Sequence, residues 1–167
     1  MRRAIAVLST AAVLMLAVGV MARATDFSGK WAPDADKNPA PAAGGGGGGG
    51  GRAGGGGGGG GAMTVTQDAK TLTIVRSMGG NDVTTKYNLD GTDSTNTGPG
   101  RGGNPGTPQV SNATWDGANL KIVTKGANGD TTAIWSMEGG DLKISTTRPG
   151  RNGGDPTTAA VFYKKGM

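Results

Sequence analysis

The chain has 167 residues, 35 of them glycine, with 17 basic and 12 acidic side chains and a formal charge of +5. It contains neither histidine nor cysteine, which excludes an imidazole base, a Ser-His-Asp triad, the usual zinc donors, a disulfide framework and a lipidated cysteine. Its one glutamate, Glu138, and its mostly turn-bound aspartates leave little for carboxylate-pair hydrolysis, which needs two acids facing across a cleft.

At the start, Arg2 and Arg3 precede an uncharged run from Ala4 to Met21, and Ala22-Arg23-Ala24 supplies a small-x-small triplet. That is the three-part plan of a secretory signal, with cleavage expected before Thr25. Residues 1–24 are therefore read as a removed signal peptide. Residues 25–167 are read as one exported domain, periplasmic or extracellular. Loss of Arg2, Arg3 and Arg23 takes the formal charge from +5 to +2, so no concentrated basic face speaks for nucleic acid.

The first predicted strand is Asp26–Trp31. After it, Gly44–Gly61 holds two runs of eight glycines around Arg52-Ala53. Glycine loses the most entropy on ordering and buries no side chain, so a flexible loop over 38–61 is expected. A phosphate-cradling reading would need a Gly-Lys-Ser/Thr end, which is missing.

Further strands are predicted at Ala62–Gln67, Thr71–Met78, Val83–Leu89, Thr92–Thr97, Gln109–Trp115, Asn119–Lys125, Thr131–Glu138, Asp141–Thr147 and Thr157–Lys165. They are rich in Thr, Val and Ile, and Leu72/Ile74, Leu120/Ile122 and Leu142/Ile144 alternate with polar residues, the signature of half-buried strands. The mature chain shows no helical periodicity. The fold class is all-β: an antiparallel up-and-down barrel of 8–10 short strands is expected. Asp68…Leu72-Thr-Ile74, Asp116…Leu120-Lys-Ile122 and Glu138…Leu142-Lys-Ile144 form a weak repeat of turn and strand, which favours sequential hairpins over Greek-key crossing.

In such a barrel, odd and even connections lie at opposite ends. The even ones are short: Asp68–Lys70, Asp90-Gly91, Asp116–Ala118 and Gly139-Gly140. The three long ones, Ala32–Gly61, Gly98–Pro108 and Arg148–Pro156, are all odd. One end is thus expected to be closed by tight turns and the other ringed by loops, as in ligand-binding barrels. This parity requires Thr92–Thr97 to be a strand.

Asp26-Phe-Ser-Gly29-Lys-Trp31 resembles the Gly-x-Trp opening of lipocalin-like (calycin) barrels. With Tyr87–Gly91, Trp115-Asp-Gly117…Ile122 and the closing Val161-Phe-Tyr-Lys164, the chain looks like small secreted bacterial lipocalin-like proteins. The resemblance implies that Trp31 plugs the closed end, with Trp115 and Trp135 on core strands. Lys164 is the nearest match to the family's terminal arginine over that tryptophan. It also implies carriage of a small apolar or amphipathic molecule, by analogy of fold.

Arg101, Arg148 and Arg151 fall at the loop end by parity, and form a candidate collar for an anionic head group. Solvated loop charges are the alternative. Arg-Gly-Gly segments that bind RNA carry more repeats and aromatics. Asp82, Asp90 and Asp93 lack the calcium-loop spacing, so no metal or cofactor is expected. A membrane barrel would need strands of about 9–11 residues with aromatic girdles, and aromatics make up only 4% here. The expected function is non-enzymatic binding of a fatty-acid-like ligand by an exported barrel. The alternative is an envelope interaction module acting through its Gly/Arg-rich loops.

Overall fold

A computed structural model describes residues 24–38, 61–78, 80–100, 105–150 and 153–166. Ten strands follow in chain order: β1 (Gly29–Pro33), β2 (Met63–Gln67), β3 (Thr71–Met78), β4 (Asn81–Asn88), β5 (Asp93–Pro99), β6 (Pro105–Asp116), β7 (Asn119–Thr124), β8 (Thr131–Glu138), β9 (Asp141–Arg148) and β10 (Thr157–Lys165). They form one antiparallel sheet in the order β4-β3-β2-β1-β10-β9-β8-β7-β6-β5. Every sequence neighbour pairs except β4 with β5, and β1 pairs with β10. The architecture is the expected up-and-down barrel. Among the described residues, no helix is long and apolar enough to cross a membrane.

Side chains complete the wall between β4 and β5. The Asn96 amide accepts from the Lys86 N–H and donates to the Lys86 carbonyl, both at 2.8 Å. Ser94 Oγ accepts from the Asn88 N–H at 2.8 Å. Asn96 thus makes with Lys86 the two bonds that a neighbouring backbone would make.

The predicted segment Thr92–Thr97 is strand β5, shifted slightly to Asp93–Pro99, so the parity holds. The loop expected over Gly98–Pro108 is shorter than the sequence suggested: Pro99 pairs with Pro105, and only residues 100–104 lie between the strands. The prolines are tolerated because β5 has no backbone partner towards β4. Pro105 and Pro108 lie beyond Ser111, where the pairing of β6 with β7 ends. Neither side needs the missing N–H.

Short turns close one end. Glu138 pairs with Asp141 across Gly139-Gly140, whose φ values are 62° and 94°. A two-residue hairpin turn with φ above zero at both central positions suits glycine best. At the β2–β3 turn the Asp68 carboxylate accepts from the Lys70 and Thr71 N–H groups, each at 2.7 Å. The Asp90 carboxylate takes the Thr92 N–H and hydroxyl, at 2.9 and 2.6 Å. Turn chemistry is what these acids do.

The first strand starts later than predicted, at Gly29 rather than Asp26. Residues Ala24–Ser28 instead cross the closed end. Thr25 Oγ1 donates to the Ala118 carbonyl at 2.6 Å, and its own carbonyl accepts from Gln67 Nε2 at 2.8 Å. The Phe27 N–H donates to Gln67 Oε1 at 3.1 Å. Phe27 is wholly buried. Its ring lies parallel to Trp115 at 6.0 Å and edge-on to Trp135 at 5.7 Å, both favoured arrangements of aromatic quadrupoles. Trp31 Nε1 donates to the Phe27 carbonyl at 2.9 Å, so the segment is tied to the core by backbone as well as ring.

Gly29 has φ +148°, and a Cβ there would come within 3.1 Å of Lys165 Cε. That explains the Gly-x-Trp spacing: the lysine stem packs over the glycine, and its ammonium lies 5.9 Å from the centre of the Trp31 ring. The expected partner Lys164 is a correction. Lys165 pairs with Trp31 in the ladder, whereas Lys164, one residue earlier, faces outwards and binds Asp34 and Asp36 at 3.0 and 2.8 Å. A strand's period of two sends adjacent side chains to opposite faces.

Ion pairs outside the barrel set the pH range. Burial pushes the Asp34 carboxyl up, but the Lys164 ammonium and the backbone N–H groups of Asp36 and Lys37 outweigh it and hold it below its ordinary value. Backbone hydrogen bonds from Lys70 and Thr71 lower Asp68, and the Thr92 hydroxyl and N–H lower Asp90. Lys164 is raised by Asp36 and Asp34, and Lys37 by Asp141. Carboxyls lowered by folding stabilise above their unfolded value, about 3.9, and that stability is lost as pH falls through the folded value. Raised lysines stabilise below about 10.4 and lose it as pH rises through theirs. With no histidine, thermal midpoints should be flat across the range from pH 5 to 8, falling in acid and in strong base. Asp34→Asn should lose part of the acid slope. A marked slope near neutrality would contradict this account.

Candidate ligand-binding interior

One face of every strand points inwards, and its chemistry changes along the barrel. Near the tight turns the interior is bulky and apolar. Phe27, Trp31, Leu72, Leu120, Trp135, Leu142, Ile144 and Tyr163 are at most 2% exposed. Higher up, the same face carries small and hydroxylated residues. In β6 the sequence inward from the turn is Trp115, Ala113, Ser111; in β7 it is Leu120, Ile122, Thr124; in β8, Trp135, Ala133, Thr131; in β9, Leu142, Ile144, Thr146. Ser111 Oγ and Thr124 Oγ1 share a buried hydrogen bond of 2.8 Å.

At the loop end the inward face opens to solvent. Tyr163 of β10 is wholly buried, yet Ala159 and Thr157 on the same face are exposed. Arg148 ends β9 on the inward register of Leu142, Ile144 and Thr146, opposite Thr157, and is exposed. Of the other collar residues, Arg101 and Arg151 lie outside the described residues, so the collar is represented by Arg148 alone. Of the three tryptophans, Trp31 and Trp135 are buried and Trp115 is half-buried. At the cleavage position Ala24 and Thr25 are described, and Ala22 is not.

A pocket of about 440 Å³ lies at the closed end, lined by Ala24, Asp26, Gln67, Asp68, Ala69, Leu89 and Trp115. It belongs to the turns rather than to the loop end, and Ala24 in its wall would leave with the expected signal peptide. No group of three or more metal-ligating side chains occurs among the described residues.

Arg76 was not singled out from sequence. It follows Leu72 and Ile74 on the inward face of β3, pairs with Met63 and Val83 in the ladder, and is half-buried. Its Nη2 donates to Met63 Sδ at 3.1 Å, while its Nε is buried without a hydrogen-bond partner. Burial pushes the phenols of Tyr87 and Tyr163 up, and the Arg76 charge pulls each part of the way back. Leu-x-Ile-x-Arg was the available signal: the alternation that placed Leu72 and Ile74 inside places the arginine there too.

No protein-family model matches the chain, and no curated protein sequence matches it. Among solved structures, it is similar to the "REP1-NXSQ fatty acid transporter" at 15% identity and a TM-score of 0.48, covering 64% of this chain and 70% of that one. A point mutant of the fluorescent protein UnaG is similar at 18% identity and a TM-score of 0.48, with 64% and 71% covered. Zebrafish ileal bile-acid-binding protein, complexed with cholic acid, is similar at 16% identity and a TM-score of 0.45, with 63% and 72% covered.

Proposed function

We propose that this barrel takes up a small amphipathic molecule of fatty-acid type through its loop end and releases it unchanged, and that it does so outside the cytoplasm. The observation that carries the reading is the exposure of Ala159 and Thr157 on the face that buries Tyr163: the upper interior is open to solvent above an aromatic floor. An apolar tail leaving water there gains about 0.8 kcal/mol per methylene. The upper ring of hydroxyls and small side chains tolerates oxygen-bearing parts of the ligand. The chain offers no histidine or cysteine for chemistry, and its turn aspartates are held by backbone N–H groups.

Titration of octanoate, decanoate and dodecanoate into the exported protein, followed by tryptophan fluorescence, tests this. Affinity should rise about fourfold per added methylene. Affinity independent of chain length, or no binding by a folded protein, would sink the reading. Intact mass of the exported species should start at Thr25; a retained Met1 would remove the export part.

A further inference from the structure

We infer that Arg76 is the receptor for the ligand's acidic group, so that a carboxylate-headed molecule enters head first and lies with its charge inside the barrel rather than at the rim. The inference rests on the ligand-binding reading above and names the group that the site recognises.

An arginine in an interior normally answers to an acid, because an unpaired charge away from bulk water is costly. All 12 side-chain carboxylates of the chain lie among the described residues. None of the ion pairs there includes Arg76: the pairs join Lys37 to Asp141, Lys125 to Asp93, Lys143 to Glu138, and Lys164 to Asp34 and Asp36. The nearest polar contact of the guanidinium is a thioether sulfur, a weak acceptor. Its Nε has no partner at all.

The other unmet polar atom on the inward face has the same sign. Trp135 Nε1 is also a buried donor without an acceptor. Two inward donors thus go without an acceptor, although hydroxyls line the same face higher up. An oxyanion supplies acceptors, and a carboxylate matches the planar fork of arginine with two parallel hydrogen bonds. A neutral alcohol does not.

Position favours Arg76 over the rim as well. Arg76 sits between Met63 and Val83 and within electrostatic reach of two buried phenols, where salt screens a pair much less than at an exposed site. Arg148 is exposed at the strand end. Its side chain must be ordered on binding, which costs entropy.

The test compares decanoate with decanol on the exported protein and on Arg76→Gln, Arg76→Lys and Arg148→Gln, with circular dichroism to show that each variant folds. Wild type should prefer decanoate by roughly tenfold or more, with the preference kept at high salt. Arg76→Gln should remove the preference while leaving decanol binding in place, and Arg76→Lys should restore part of it. Equal binding of acid and alcohol by wild type would overturn the role of Arg76 and leave the ligand-binding reading standing. Binding of neither would overturn both. A preference that survives Arg76→Gln but is lost in Arg148→Gln, or that fades with salt, would place the head at the rim and overturn the inference.

Discussion

Phe27→Ala should cost about 3–5 kcal/mol of folding stability, although the residue lies on no strand. The ring is fully buried between Trp115 and Trp135, and truncation removes both aromatic contacts and leaves a void that rigid neighbours fill poorly. The carbonyl that accepts from Trp31 Nε1 is held in place by that ring, so the closing segment should loosen as a unit. Urea denaturation followed by circular dichroism gives the loss directly. Phe27→Leu, which keeps most of the volume, should lose much less. A cost for Phe27→Ala below about 1 kcal/mol would mean that residues 24–28 do not pack on the core in solution, since surface substitutions fall in that range.

Arg76→Met should move stability the other way, raising it by about 1–4 kcal/mol, as replacing buried ionic groups with apolar side chains of similar volume often does. The guanidinium lies inside with no carboxylate to pair with and one nitrogen unmet. Methionine fills a similar space beside Met63 without the charge. Thermal melting of the two proteins without added ligand reads the difference. A variant less stable than wild type would show that the Arg76 contacts hold the barrel together, so that its charge is structural. Stability gained together with loss of the preference for an acid would mark Arg76 as a residue kept for binding at a cost in stability.

The strand plan was legible because its signals are local. Leu72/Ile74, Leu120/Ile122 and Leu142/Ile144 place themselves inside by period-two alternation. Gly139-Gly140 names its own turn, and Thr131–Glu138 and Thr157–Lys165 have the bounds that composition implied. Parity then separated the tight-turn end from the loop end as a consequence of sequential hairpins. The same alternation, carried two residues beyond Ile74, reaches Arg76, which the sequence reading did not single out.

What those inward residues meet depends on pairings between distant parts of the chain. Residue order within Lys164-Lys165 does not say which lysine covers Trp31; the β1–β10 register does, and it selects Lys165. Phe27 was expected on the first strand, Asp26–Trp31, but precedes β1, and its burial depends on Gln67 and Ala118, distant in the chain, holding residues 25–27 across the closed end. The β4–β5 closure depends on Asn96 standing level with Lys86. A charge inside a barrel becomes significant only when every acid is known to be elsewhere, which is a property of the whole fold. Most strands, the tight turns and the two unlike ends could be read along the chain, because they follow from side-chain period and backbone preference over a few residues; the start of β1 and the length of the β5–β6 loop could not. The closing plug, the lysine over Trp31 and the unpaired state of Arg76 were decided by tertiary structure, because each is a relation between residues far apart in the chain.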